Sequence, residues 1–117
     1  MKLLLFGTES DKDEIEKMIS ASPDCCYRNL RIAAFSNYDG FIAALDENPP
    51  ECVAVTMNGA AGMEGVIAAR SMDRNIPVLW FSDDGDFGVQ SYRLGCTFFH
   101  TKPVSPQIFS AAISKCV

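Results

Sequence analysis

Apolar runs and amphipathic stretches alternate along the chain. Leu3–Phe6 is a short continuous apolar run, as expected of a strand buried on both faces. Cys52–Met57 and Ile76–Phe81 read the same way, the latter being the most apolar. Leu30–Phe35 and Cys96–His100 complete a set of five strands. In the first intervening stretch Ser10 offers an N-cap, with Asp13 as a capping-box variant, and Ile15, Met18 and Ile19 follow at helical spacing. Asp11, Asp13 and Glu14 fall in the first turn, where the helix dipole favours negative charge. Ser22-Pro23-Asp24 ends this helix. Asp39-Gly40 precedes a short helix carrying Phe41, Ile42, Ala44 and Leu45, which Asn48-Pro49-Pro50 stops. The Gly-rich turn Asn58–Gly62 leads to a third helix with Val66, Ile67, Ala69 and Met72. Asp83–Gly95 contains a weak helix with Val89, Tyr92 and Leu94. Ser105-Pro106 starts the last helix, with proline in a tolerated first-turn position, and Ile108, Phe109, Ala112 and Ile113 form its buried stripe.

Strand followed by helix, five times over, predicts an α/β domain: a doubly wound five-stranded parallel sheet with helices on both faces. The 117 residues fit one domain, 1–117, with no linker, repeat or low-complexity tract. Ligands of such folds sit at the carboxyl ends of the strands. The positions to inspect are therefore Gly7–Ser10, Met57–Gly59, Ser82–Asp84 and Thr101–Pro103.

Composition narrows the function. Hydrophobic residues make up 48% of the chain, enough for a core without staples. The formal net charge of −5 disfavours non-specific binding to DNA or to an anionic membrane. Leu3–Phe6 is too short for a signal-peptide core, and no stretch approaches the roughly 20 apolar residues of a membrane span. A cytoplasmic location is the expectation. The five cysteines are Cys25, Cys26, Cys52, Cys96 and Cys116, with no C-x-x-C spacing. They read as reduced, mostly buried small hydrophobes. The lone His100 has no companion for a metal, and neither metal nor cofactor is expected. Gly7-Thr8-Glu9-Ser10 follows a strand and precedes a helix, but it lacks the phosphate-loop patterns and its acids repel phosphate.

Three segments carry a family resemblance. Glu51–Gly65, ending Gly-Met-Glu-Gly, looks like the third strand and following loop of response-regulator receiver domains, a loop that ends Pro-Gly-Met-Asp-Gly in that family. Ile76-Pro-Val-Leu-Trp-Phe-Ser82 is similar to the family's fourth strand, and Gly95–Pro103 to its fifth, ending in Lys-Pro. Together these span most of the chain. The resemblance implies the flavodoxin-like (βα)5 receiver fold, a cis Lys102-Pro103 bond, and a site at Gly7, Thr8, Met57, Ser82 and Lys102, with Phe99 as the family's switch aromatic. Asp83–Gly95 is a little shorter than the family's corresponding segment.

The departures from that family decide the chemistry. The two acidic positions that hold Mg²⁺ are Gly7 and Thr8 here, and the phosphoacceptor aspartate is Met57. A thioether cannot form an acyl phosphate, and Mg²⁺ wants hard oxygen ligands. Glu9 and Asp11 are the nearby acids, with Asp11 reading as a solvated first-turn residue. Ser82 is either a turn residue or part of an anion site. Lys102 is left to turn outward, pair with an acidic neighbour or meet a backbone carbonyl. Phe99 is either core or a fixed aromatic holding the output face.

The expected function is that of a pseudo-receiver: a non-enzymatic signalling domain of a two-component-type regulator, working without phosphorylation through protein–protein contacts. The expected partners are other signalling proteins, an output domain outside this chain (a DNA-binding one included) or a second copy, with no direct nucleic-acid contact. The alternative is a small-ligand sensor using the vacated pocket. An enzyme built on Cys96 or Cys25/Cys26 is the third possibility, weakened because no cysteine follows the first strand.

Overall fold

The structure, a computed structural model, describes residues 1–21 and 30–116. Its strands are β1 (Lys2–Phe6), β2 (Arg31–Phe35), β3 (Cys52–Val55), β4 (Val78–Ser82) and β5 (Phe98–Thr101). They form one parallel sheet in the order β2-β1-β3-β4-β5. The helices are α1 (Glu9–Ala21), α2 (Tyr38–Glu47), α3 (Gly59–Met72), α4 (Gly88–Arg93) and α5 (Pro106–Ser114). This is the doubly wound (βα)5 fold that the alternating pattern predicts, with the strand order reversing direction at β1/β3.

Each face of the sheet has its own core. On one side Leu3, Leu5, Cys52, Ala54, Leu79 and Phe81 meet Ile15 of α1 and Phe109, Ala112 and Ile113 of α5. On the other Leu4, Phe6, Val53, Val55, Val78 and Trp80 meet Phe41 and Leu45 of α2 and Val66 and Ala69 of α3. Successive strand residues point to opposite faces, so a strand covered on both sides must be apolar throughout. The central strands β1, β3 and β4 satisfy that condition.

Several local expectations shift. Thr8, not Ser10, caps α1: its Oγ1 accepts from Asp11 N at 3.2 Å and its carbonyl from Lys12 N at 3.0 Å. Ser10 lies inside the helix. Gly59–Gly62, expected as a turn, forms the first turn of α3. The expected stop at Ser22-Pro23-Asp24 lies outside the described residues. Asn37 and Ser105 cap α2 and α5 through their side chains, the latter followed by Pro106 as expected.

The fourth helical segment differs most. A single 3₁₀ turn over Gly85–Phe87 precedes α4, which is short. Phe87 and Leu94 face the core, whereas Val89 and Tyr92 are 61% and 88% exposed. The guanidinium of Arg70 holds this region to α3, donating to the carbonyls of Leu94 at 2.9 Å, Gly95 at 2.8 Å and Ile76.

Candidate functional site

The carboxyl ends of β1, β3, β4 and β5 bring Gly7, Met57, Ser82 and Lys102 to one edge of the sheet. Gly7 is buried, and a Cβ built on it would run into the hydroxyl of Thr56 and sit 3.5 Å from Asp11 Oδ2. The space an acidic side chain would need at this position is thus filled by Thr56 and Asp11. Thr8 is exposed and spends its hydroxyl on the α1 cap.

Lys102 turns inward. Its Nζ donates to the Thr56 carbonyl at 2.6 Å and pairs with Asp11 Oδ2 at 3.4 Å. Both side chains are largely sheltered, so water screens the pair less than on an open surface. Asp11 is therefore a site residue and not the solvated first-turn acid that the local pattern suggests. The Lys102-Pro103 peptide bond is cis, as the resemblance implies.

Met57 is half-buried and packs against the core cluster on the α2/α3 face. Its neighbour Thr56 points to the opposite face, where Oγ1 is buried without a hydrogen-bond partner among the described residues. A buried hydroxyl without a partner is unusual and costs stability. Ser82 is fully buried; its Oγ accepts from Asp84 N at 3.2 Å and lies 3.5 Å from Asp83 Oδ1. This is the local turn geometry of a serine at a strand end. Asp83 in turn accepts from Gly59 N at 3.2 Å, tying the β4–α4 loop to the start of α3. Phe99 is half-buried and meets Trp80 edge-on, with ring centroids 5.3 Å apart at 83°.

Beside Lys102, between α1 and α5, lies a cavity of about 390 Å³. Asp11, Glu14, Thr56 and Lys102 supply its polar lining, and Ile15, Met18 and Phe109 part of its apolar wall. Gly7, Thr8, Met57 and Ser82 do not line it. Among the described residues no three His, Cys, Asp or Glu side chains group as metal ligands. None of their helices is long and apolar enough to cross a membrane.

Thr56 is the residue beside the candidate site that the sequence did not single out, whereas Asp11 stood there as a nearby acid but read as a solvated first-turn residue. Thr56 sits one residue before Met57 on the other face of β3, and strand alternation was the signal that could have found it. His100 is a β5 residue whose Nδ1 lies 2.7 Å from the Thr101 carbonyl. Burial pushes the Cys96 thiol up to about 11, which leaves it a poor nucleophile near neutral pH. Cys25 and Cys26 lie outside the described residues.

The fold has well-defined solved relatives. A response-regulator receiver domain from Clostridium thermocellum superposes with a TM-score of 0.78 at 19% identity, covering 98% of this chain and 92% of its own. The chemotaxis protein CheY4 of Vibrio cholerae gives a TM-score of 0.76 at 14% identity, covering 99% and 97%. A Sinorhizobium meliloti 1021 protein with the provisional name CpaE2 pilus assembly protein gives 0.73 at 18%, covering both chains fully. No protein-family model matches the chain, and no match is found among curated proteins. The chain has the receiver-domain fold of two-component response regulators.

Proposed function

We propose that this domain transmits a signal through protein–protein contacts without aspartyl phosphorylation. The observation that carries the reading is the state of Lys102: its ammonium is held by Asp11 and the Thr56 carbonyl, while a thioether, Met57, lies just past the end of β3. An acyl phosphate needs a carboxylate nucleophile, and its formation with Mg²⁺ needs hard oxygen ligands at the same edge. Asp11 is the acid at hand, and it already neutralises Lys102.

A two-state element whose ligand has no differential hold on either state stays in the state it favours. Phe99 packed on Trp80, and Met57 packed into the same apolar cluster, support a face held in one arrangement. The exposed Val89 and Tyr92 of α4 lie beside β5 and offer apolar contact area to a partner. One structural relative bears the name of a pilus assembly protein, so partners other than DNA-bound regulators fall within this reading.

A second reading rests on the α1/α5 cavity. The Thr56 hydroxyl, unpartnered among the described residues, with Lys102, Asp11 and Glu14 beside a largely apolar wall, suits a small ligand with a polar head and an apolar body. Thermal melting separates the two, because a ligand that binds only the folded state raises the melting temperature. The first reading predicts no shift with Mg²⁺ and acetyl phosphate, nor with a panel of nucleotides, flavins and metabolites. A saturable rise with a panel compound that Lys102→Ala abolishes would establish the second reading instead. A rise requiring both Mg²⁺ and acetyl phosphate would overturn the first.

A further inference from the structure

At the opposite edge of the sheet, far from Lys102, two thiols face each other. Cys52 opens β3 and is fully buried; Cys116 lies in the turn that closes α5 and is half-buried. Their Sγ atoms are 3.0 Å apart, across 64 positions of sequence. A disulfide needs sulfurs at about 2.05 Å, so a shift of roughly 1 Å completes the bond. Cys116 is placed to make that shift, because it sits past the last residue of α5, where its N–H donates to the Ile113 carbonyl at 2.9 Å and its Sγ only approaches the Ala112 carbonyl, at 3.8 Å. Cys96, the other described cysteine, forms no such pair.

We propose that Cys52 and Cys116 form a dithiol that a hydroperoxide closes to a disulfide, pinning the end of α5 to the start of β3. The partly exposed Cys116 reacts first. Its thiolate attacks a peroxide oxygen of hydrogen peroxide, the O–O bond breaks, and one water leaves once the departing hydroxide is protonated, giving Cys116 sulfenic acid. Cys52 then attacks Sγ of Cys116, the S–O bond breaks, and the released hydroxide takes the Cys52 proton as a second water. Two thiols lose two electrons, and one peroxide is reduced to two waters. The order of attack agrees with the thiol chemistry: the hydrogen bond from Cys52 pulls the Cys116 thiol down, whereas that same bond and burial push Cys52 up. The sheltered partner thus acts as the resolving thiol.

The inference does not depend on the signalling reading, since the pair lies at the amino edge of the sheet. The test treats the full chain with hydrogen peroxide and maps thiols by differential alkylation and non-reducing peptide mass spectrometry. We expect a linked Cys52–Cys116 peptide, an intact mass lower by two hydrogens, reversal by dithiothreitol, and a melting temperature higher by roughly 10 °C in the oxidised form. Cys116→Ser should lose the link and the rise together. In Cys52→Ala, Cys116 should stop at a sulfenic acid that dimedone traps. Wild-type Cys116 that remains freely alkylatable, or that links to Cys25 or Cys26 in place of Cys52, would overturn the proposal.

Discussion

Trp80→Ala is expected to lower stability by about 3–5 kcal/mol, the range for removing a large aromatic from a closed core. Trp80 is 0% exposed and sits on β4 against α3. It packs on Phe87 at 5.3 Å and 32°, and on Phe99 at 5.3 Å and 83°. Phe87 fixes the 3₁₀ turn before α4, and Phe99 lies beside Trp80 in the β4–β5 ladder. Removing the indole therefore loosens α4 and β5 together. Urea unfolding followed by circular dichroism checks this, the expected result being a lower midpoint at unchanged slope. Trp80→Phe sharpens the test. The indole Nε1 is buried without a partner among the described residues, so the phenyl ring removes an unsatisfied donor while keeping much of the packing. It should cost less than half as much as alanine.

The second large effect is Gly62→Ala, expected to cost roughly 2–3 kcal/mol, at the upper end of overpacking losses. A Cβ at Gly62 would collide with the carbonyl oxygen of Met57 and come within 3.3 Å of Trp80 Nε1. The obstacle is backbone, which no rotamer change can clear. Either the first turn of α3 moves away from β3 or Met57 is displaced, and both disturb the candidate site. Gly88→Ala is the control. Its Cβ meets only Phe99 at 3.8 Å, an ordinary contact, and alanine is the better helix former. That variant should be neutral or gain up to about 1 kcal/mol. Equal losses in the two variants would mean that the close approach to Met57 does not set the cost.

The fold was legible because each of its layers leaves a mark on local sequence. Leu3–Phe6, Cys52–Val55 and Val78–Phe81 are apolar without a break because helices cover both of their faces. The cap at Ser105 was readable from residue type and the neighbouring Pro106, whereas the Asn37 cap was not singled out and Asp39-Gly40, read as preceding the helix, lie inside α2. The weak helix expected within Asp83–Gly95 is the short α4, and its buried face was the part not legible. Val89 and Tyr92 have helical spacing, but Phe87 in the preceding turn and Leu94 after the helix face the core and leave the first two outward.

The site was legible only in part. That Gly7, Thr8 and Met57 are not acidic stands in the sequence. The pairing beside them does not, because Lys102 and Asp11 are 91 positions apart and only the sheet brings them together. Asp11 also matches the ordinary preference for acids in a first helical turn, which masks its second role. Thr56 was hidden by attention to Met57, although strand alternation turns adjacent residues to opposite faces. The Cys52–Cys116 approach is likewise a product of topology, joining the start of β3 to the end of α5.

The central proposal is that the domain signals without phosphorylation at its carboxyl edge, where Lys102 is held by Asp11 and the Thr56 carbonyl. The most direct test is a ¹H–¹⁵N spectrum with and without Mg²⁺ plus beryllofluoride, which mimics the acyl phosphate. The account predicts superimposable spectra around Met57, Ser82 and Lys102. Saturable shifts at those residues, spreading to Phe99, would show that another residue supplies the missing ligand and would contradict it.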